Sequence, residues 1–274
     1  MIKTINAWAF SPTRPLTETF ALARKHGFEA IELTVAEEGQ LSLQSTEDDC
    51  RRIAADVRDA GLQISSVASG LGWSSPMTST DPAIAARGIE QTARSLQIAQ
   101  WLGTDAILVV PGGVAADFIP GFSGAPYDVA YDSALKALTE LAPRAEELGV
   151  AIAVENVWNQ FLLSPLEFRD FLDKIGSDYV KSYFDVGNVV LTGFPEQWIR
   201  ILGSRIARVH FKDFQRSVGT LSGFCDLLKG DVDYPAVVSA LTAIGYDGYV
   251  TAEYFDVEGD LPKISGAMDT ILGR

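Results

Sequence analysis

Two segments decide the fold: LGTDAILVV at residues 102–110 and LGVAIAVEN at residues 148–156. In each segment a glycine follows a helical pattern and stands just before a continuously apolar run. Such a glycine is typical of the left-handed residue that ends a helix. An uninterrupted apolar strand is typical of a parallel sheet that is covered on both faces. Both segments therefore predict a helix followed by a buried parallel strand.

The same helix-to-strand junction recurs along the whole chain. It occurs seven times, at Gly27, Gly61, Gly103, Gly149, Gly176, Gly203 and Gly245. With a further strand predicted at residues 2–8, the chain contains eight predicted strands. Alternation of eight strands with helices predicts a (β/α)8 barrel, a fold of about 250 residues. An open doubly wound sheet is the alternative, but the GxGxxG turn usual after its first strand is missing.

The stretches between the strands have independent helical features. Leu135, Leu138 and Leu141 recur at steps of three, which places them on one helix face. The sequence SPLE at residues 164–167 predicts a capping box with proline at the first helical position. Asp81 followed by Pro82 predicts another helix start. We therefore predict one (β/α)8 barrel domain over residues 1–274.

Composition narrows the function classes. Of the residues, 47% are hydrophobic and 21% charged, which excludes disordered, collagen-like and disulfide-rich proteins. The net charge of −14 repels phosphate backbones and anionic lipids, so neither nucleic acid nor membrane is expected as a partner. The first residues lack a signal-peptide pattern, so we expect a cytoplasmic protein. Cys50 and Cys225 have no CxxC spacing and are interpreted as ordinary thiols.

The last four predicted strands each end in a side chain that can bind a metal. These strand ends are AVENVWN, YFDVGN, RVHFKDF and TAEYF, and they contribute Glu155, Asp185, His210 and Glu253. Each residue alone has a structural alternative, since a carboxylate can cap the next helix and a histidine can bond a carbonyl. Four in succession, at the barrel end where active sites lie, predict one divalent cation. Three carboxylates and an imidazole suit Mn2+, Mg2+ or Co2+ better than Zn2+.

The spacing of the two glutamates suggests a chemistry. Glu155 and Glu253 come from strands five and eight, three steps apart in a ring of eight, so they approach the centre from nearly opposite sides. Two such carboxylates can remove a proton from one face of a carbon and return one to the other face. A metal would polarise the neighbouring carbonyl and stabilise the enediolate between the two steps.

These segments resemble a known group. VENVWN, FDVGN, VHFKDF and the final segment GDVDYPAVVSALTAIGYDGYVTAEYF are similar to the sugar isomerase/epimerase group of the xylose isomerase-like barrel superfamily. That group includes ketose 3-epimerases and sugar-phosphate 3-epimerases. The resemblance covers nearly the whole chain and is strongest from about Gly103 to Phe255.

The resemblance implies a function and a set of roles. It implies that a ketose or ketose phosphate is epimerised or isomerised at one Mn2+, Co2+ or Mg2+ ion. Glu155, Asp185, His210 and Glu253 would be the ligands, and the two glutamates would be the acid/base pair. A homo-oligomer is compatible with the group, whose members are often dimers or tetramers.

Further residues are candidates for substrate contact. The resemblance implies that Arg216 reaches over the site, whereas Asn188 stands where ketose 3-epimerases often carry a histidine. The alternative for Lys212 and Arg216 is pairing with nearby acidic groups, and for the tryptophans it is packing between loops. The full set of candidate substrate contacts is Trp8, Glu32, Trp158, Asn188, Lys212 and Arg216.

Three other functions compete with the epimerase. A keto-inositol dehydratase would use the same metal and carboxylates, and the sequence does not separate the two reactions. An abasic-site endonuclease shares the barrel, but its three-zinc site needs more than the two histidines present, of which His26 lies on the opposite rim. A non-catalytic sugar-binding barrel would have no use for two facing glutamates.

Overall fold

Eight parallel strands close into a barrel in the computed structural model, which describes residues 1–274. The barrel strands are β1 Ile2–Asn6, β2 Ala30–Thr34, β3 Gln63–Ala68, β4 Ala106–Val109, β5 Ala151–Glu155, β6 Val180–Asp185, β7 Ile206–Phe211 and β10 Tyr249–Ala252. Two short strands outside the barrel, β8 Asp213–Phe214 and β9 Phe224–Cys225, precede β10. Their order around the barrel is β1-β10-β7-β6-β5-β4-β3-β2, and every neighbouring pair is parallel. The prediction of a (β/α)8 barrel is therefore confirmed.

Helices surround the strands and alternate with them along the chain. They are α1 Leu16–Lys25, α2 Glu47–Asp59, α3 Leu71–Ser74, α4 Pro82–Leu102, α5 Tyr127–Leu148, α6 Pro165–Ile175, α7 Pro195–Leu202, α8 Tyr234–Ala243 and α9 Leu261–Leu272. A core of 58 buried residues packs chiefly between this helical layer and the strands. None of the helices combines the length and the apolar character needed to cross a bilayer.

The predicted glycine junctions are present. All seven glycines have positive φ, for example +78° at Gly103 and +66° at Gly149. Gly103 ends α4 and donates its N–H to the carbonyls of Ala99 and Gln100. A side chain with a Cβ would strain this left-handed backbone, which is why glycine precedes the strands.

The helix-start predictions hold in part. The Asp81 side chain accepts from Ala83 N and Pro82 is the first residue of α4, as predicted. The Ser164 hydroxyl accepts from Glu167 N, but Glu167 accepts from Leu163 N, so the reciprocal half of the capping box is missing. The Glu167 carboxylate also accepts from the Tyr127 hydroxyl, which draws it toward α5.

The alternation of side chains along β7 positions the site. Val209 and Phe211 point outward into the helical core, and both are fully buried there. Arg208 and His210 occupy the alternate positions and point into the barrel. Near the opposite end, Arg208 donates to Ser65 O and pairs with Asp105. The same alternation leaves His210 at the end of the barrel where the strands finish.

The loop after β7 has structure that the sequence did not predict. Two short strands, β8 Asp213–Phe214 and β9 Phe224–Cys225, pair antiparallel. They fold the connection between β7 and α8 back over the carboxyl ends of the barrel strands, beside the predicted site. The first barrel strand is also shorter than predicted, because β1 ends at Asn6 and Trp8 lies in a 3-10 turn spanning Ala7–Ala9.

Candidate active site

Four metal-binding side chains meet at the carboxyl ends of the strands. Glu155 ends β5, Asp185 ends β6, His210 is the penultimate residue of β7, and Glu253 follows β10 directly. One ligand atom from each residue lies within 4.8 Å of the others. His210 Nδ1 is 3.1 Å from Glu253 Oε2, 3.7 Å from Glu155 Oε1 and 3.8 Å from Asp185 Oδ2. The structure thus brings together all four predicted ligands.

The polar atoms of this cluster fit a divalent cation. Four buried atoms have no hydrogen bond of acceptable geometry, although charged groups lie close to them: Glu155 Oε1, Asp185 Oδ2, His210 Nδ1 and Glu253 Oε2. Buried polar atoms are rarely left without a partner. These four point at one another, and their spacing allows a single ion with oxygen ligands about 2.0 to 2.6 Å away to contact them all. The donor set is oxygen-rich with one imidazole, which suits a hard divalent cation.

Lys212 supplies a positive charge beside the cluster. Its Nζ lies 2.6 Å from Glu253 Oε2 and 3.3 Å from Asp185 Oδ2. Its side chain is mostly buried, and Nζ lies over the ring of Phe224, 5.3 Å from the ring centre. Lys212 therefore offsets part of the charge of the three carboxylates.

Burial and charge shift the pKa values of the cluster in opposite directions. Burial raises the pKa of Glu155 and raises that of Asp185 to about 7. Burial also opposes ionisation of Glu253, but the positive charges of Lys212 and His210 outweigh it and lower the pKa of Glu253. The two glutamates therefore have different electrostatic environments.

A hydrogen-bond network lies behind the imidazole. His210 Nε2 is 3.1 Å from Glu32 Oε1, and the other oxygen of Glu32 accepts from Ser66 Oγ at 2.8 Å and from the Tyr183 hydroxyl. All four residues are fully buried. Burial alone would lower the pKa of His210. The negative charges facing it, including Glu32 and Glu253, outweigh burial and raise the pKa well above its usual range. The network leaves Nδ1 as the ring atom that faces the other ligands.

Asn156 holds the backbone of a neighbouring ligand. Its amide nitrogen donates to Asp185 O at 2.8 Å, and its amide oxygen accepts from Asp185 N at 2.9 Å. Asn188 adds to this arrangement, since its own amide donates to Asn156 O at 3.0 Å and its N–H donates to Asp185 Oδ1 at 2.8 Å. These contacts tie the ends of β5 and β6 together.

A cavity of about 810 Å³ opens above the cluster. Glu155 and Glu253 line it, whereas Asp185 and His210 lie beneath and are fully buried. Of its 22 lining residues, 14 are hydrophobic. The cavity is therefore an apolar space with two carboxylates at its floor.

Four of the six predicted substrate contacts line this cavity: Trp8, Trp158, Asn188 and Lys212. Trp8 stacks on Phe255 with ring centres 5.5 Å apart. Trp158 donates its indole N–H to Asn188 O at 2.9 Å, which fixes the ring against the cavity wall. The structure places these side chains where a substrate above the cluster can touch them.

The structure places the other two predicted contacts elsewhere. Glu32 is the third residue of β2, two positions before its end, so its carboxylate lies below the cavity floor against His210. Arg216 donates to the carbonyls of Val190 and Gly193 and covers the ring of Phe194. Its guanidinium is held over the loop after β6 and does not line the cavity. Neither residue contacts the cavity as the sequence predicted.

Several functional positions were not predicted from the sequence. Asn156, Ser66 and Tyr183 support the ligands from behind, and Phe255 and Phe118 form part of the cavity wall. Asn156 follows directly after Glu155, so its position next to a predicted ligand could have identified it from the sequence. Ser66 and Tyr183 lie inside strands, where only the register of the closed barrel shows which side chains meet.

Comparison with known proteins places the chain in a family. Residues 20–271 match the family model described as xylose isomerase-like TIM barrel. The chain is similar to L-ribulose 3-epimerase of Mesorhizobium japonicum, 27% identical over 261 residues, which cover 91% of this chain and 79% of that protein. It is also similar to L-ribulose-5-phosphate 3-epimerase UlaE of Escherichia coli, 24% identical over 273 residues, which cover 94% of this chain and 89% of that protein.

Solved structures show the same barrel. A structure of L-ribulose 3-epimerase has a TM-score of 0.77 and 25% identity, and the match covers 97% of this chain and 86% of that one. A D-tagatose 3-epimerase-like protein has a TM-score of 0.81 and 20% identity, covering 100% and 97% of the two chains. Because the family model spans most of the sequence, the chain belongs to the xylose isomerase-like TIM barrel family.

Proposed function

We propose that this chain is a metal-dependent sugar epimerase or isomerase that acts on a ketose or ketose phosphate. One observation carries the proposal: among the four clustered ligands, only Glu155 and Glu253 also line the cavity. These two carboxylates can touch both an ion and a substrate. Asp185 and His210 are fully buried and can serve only the ion.

The positions of the two glutamates suit inversion at a carbon atom. Glu155 ends β5 and Glu253 follows β10, and β6 and β7 lie between those strands in the barrel. The carboxylates therefore rise from different sides of the cavity floor. One glutamate removes the proton next to the carbonyl and leaves an enediolate, and the other delivers a proton to the opposite face.

The cluster would hold one divalent cation, Mn2+, Mg2+ or Co2+, through Glu155, Asp185, His210 and Glu253. When bound, such a cation polarises the substrate carbonyl and so acidifies the adjacent C–H. Glu32 keeps His210 oriented, and Asn156 fixes the backbone of Asp185. Hydrophobic side chains make up most of the wall above the two carboxylates.

The relatives support the reaction class. Two similar proteins that align over most of the chain are named as 3-epimerases, one of L-ribulose and one of its 5-phosphate. Sugars of this kind carry a carbonyl beside a C–H bond, as the two glutamates require. We expect the protein to work as an isomerase of small sugars. One chain supplies all four clustered ligands and the cavity above them, so the site is compatible with a monomer and with a homo-oligomer.

A turnover screen in D2O tests the proposal. L-ribulose, L-ribulose 5-phosphate and a panel of ketoses are incubated with Mn2+, Mg2+ or Co2+, and the recovered sugars are examined by NMR. The expected result is an epimer that carries deuterium at the inverted carbon, and no reaction after treatment with EDTA. A product lighter by one water would identify the dehydratase alternative. Absence of exchange with every sugar and metal would contradict the proposal.

A further inference from the structure

The charges that line the cavity argue against a phosphorylated substrate. Lys212 is the one cationic side chain among the lining residues, and it is engaged by Glu253 and Asp185. Four lining residues are acidic: Glu155, Asp213, Asp226 and Glu253. Proteins bind phosphate with arginine, lysine or clustered N–H groups. Arg216, the arginine predicted to contact substrate, is held over another loop.

The size of the cavity exceeds the need of a single ketose. Its volume of about 810 Å³ lies in the upper part of the range of roughly 300 to 1,000 Å³ that drug-sized ligands fill. A ketose is much smaller than such a ligand. When the carbonyl end of a ketose lies over Glu155 and Glu253, the outer part of the cavity remains open.

The outer part of the cavity has aromatic walls. Phe255 is 60% exposed although it stacks on Trp8, and both rings line the cavity. Trp73 also lines the cavity, with Phe118 edge-on at 5.2 Å between ring centres. Large aromatic rings are normally buried, and exposed ones that line a concave surface mark ligand sites. The C–H faces of a sugar ring provide an apolar surface that such rings can cover.

We propose that the substrate is an unphosphorylated ketose that carries an uncharged ring substituent, such as a second sugar, at the end distant from its carbonyl. The substituent lies against Trp8 and Phe255, in the cavity that Trp73 also lines. The placement of the carbonyl end rests on the proposed epimerase function. The aromatic subsite is inferred from the cavity walls, and the absence of a phosphate group is inferred from the lack of a free cation among the lining residues.

Binding measurements with two matched pairs of sugars test this inference. Dissociation constants are measured by calorimetry in the presence of Mn2+ for L-ribulose against L-ribulose 5-phosphate, and for D-fructose against isomaltulose. Isomaltulose is a disaccharide whose fructose unit keeps a carbonyl and carries glucose at the far end. We expect the phosphate to bind at least tenfold more weakly than L-ribulose, and isomaltulose to bind at least tenfold more tightly than D-fructose.

A variant in the aromatic wall of the cavity tests whether the binding preference arises there. Phe255→Ala should reduce the preference for isomaltulose over D-fructose to about twofold or less, because the exposed ring of the stacked pair is lost. Phe194→Ala, which removes an exposed ring outside the cavity, should leave the preference unchanged. An unaltered preference in Phe255→Ala would contradict the proposed subsite.

The outcomes separate this inference from the proposed function. Tighter binding of the phosphate, or equal binding of isomaltulose and D-fructose, would overturn the inference while epimerase activity stands. The expected order of binding without deuterium exchange into any of the four sugars would keep the subsite and count against the epimerase. Failure of all four sugars to bind would contradict the inference directly.

Discussion

His210 is held by Glu32 on the side that faces away from the other ligands. The distance from His210 Nε2 to Glu32 Oε1 is 3.1 Å, and the distance from His210 Nδ1 to Glu253 Oε2 is also 3.1 Å. A ring nitrogen that is engaged behind a site leaves the other nitrogen to bind a metal, and it fixes the ring orientation. Glu32 thus positions His210 and has no contact with the cavity.

Glu32→Gln should weaken binding of Mn2+ by about 10- to 100-fold, the usual effect of losing a partner behind a ligand. The reason is that the neutral amide holds the imidazole less firmly than the carboxylate does. Affinity is measured by calorimetry on protein whose fold is checked by circular dichroism. Glu38→Gln is the matched control, because Glu38 is an exposed surface residue. Wild-type affinity in Glu32→Gln would show that the contact does not support the ligand.

Asn156→Ala should lower the free energy of unfolding by about 2 kcal/mol, since it removes two buried hydrogen bonds of about 1 kcal/mol each. Both bonds are made to the backbone of Asp185. Urea unfolding measures the loss, and Mn2+ affinity should fall in the same variant. Gln215→Ala, which removes an exposed amide that donates to Lys229 O, should change neither quantity by a comparable amount. Unchanged stability in Asn156→Ala would refute this role.

Glu258→Gln tests a clamp between two loops beside the cavity. Arg14 donates to both carboxylate oxygens of Glu258, at 2.8 and 2.7 Å, and Ser11 N donates at 2.7 Å. The Arg14 hydrogen bonds lower the pKa of Glu258 from 4.5 to about 2. A lowered pKa means that the contribution to stability is complete above pH 4.5 and is lost as the pH falls toward 2.

We therefore expect Glu258→Gln to reduce the free energy of unfolding by about 1 kcal/mol at neutral pH, as for a strong surface pair. The difference from the wild type should shrink as the pH falls below 4.5. Chemical unfolding across this pH range measures it. Glu18→Gln is the control, because Glu18 is more exposed and makes one contact with the same arginine. A difference that grows as the pH falls would contradict a stabilising contact made by the ionised Glu258 carboxylate.

The sequence best predicts those site residues whose positions depend on where a strand ends. Glu155, Asp185 and Glu253 stand at or next to the last residue of their strands, and a closed barrel brings such positions together. Glu32 was expected at the same level, but it lies two residues before the end of β2 and so points beneath the cavity. Its depth depends on the register of β2 against its neighbours, which shifts at Ile31 and Glu32.

The sequence is least informative about the conformations and contacts of the loops. Arg216 follows β8, and the antiparallel pairing of β8 with β9 turns its loop toward the carbonyls of Val190 and Gly193. Such long-range contacts have no periodicity in the sequence. Trp8 and Trp158 were predicted as substrate contacts and line the cavity, whereas Phe255 was not predicted, because its exposure is set by the fold around it.

The proposed reaction requires Glu155 and Glu253 to move a proton beside a carbonyl. Its most direct test is the rate of deuterium exchange from D2O into L-ribulose with Mn2+, compared among the wild type, Glu155→Gln and Glu253→Gln. We expect exchange by the wild type, a loss of at least about 100-fold in each variant, and residual Mn2+ binding by Glu253→Gln. Exchange at the wild-type rate in either variant would remove that glutamate from the acid/base pair and refute the proposed proton transfer.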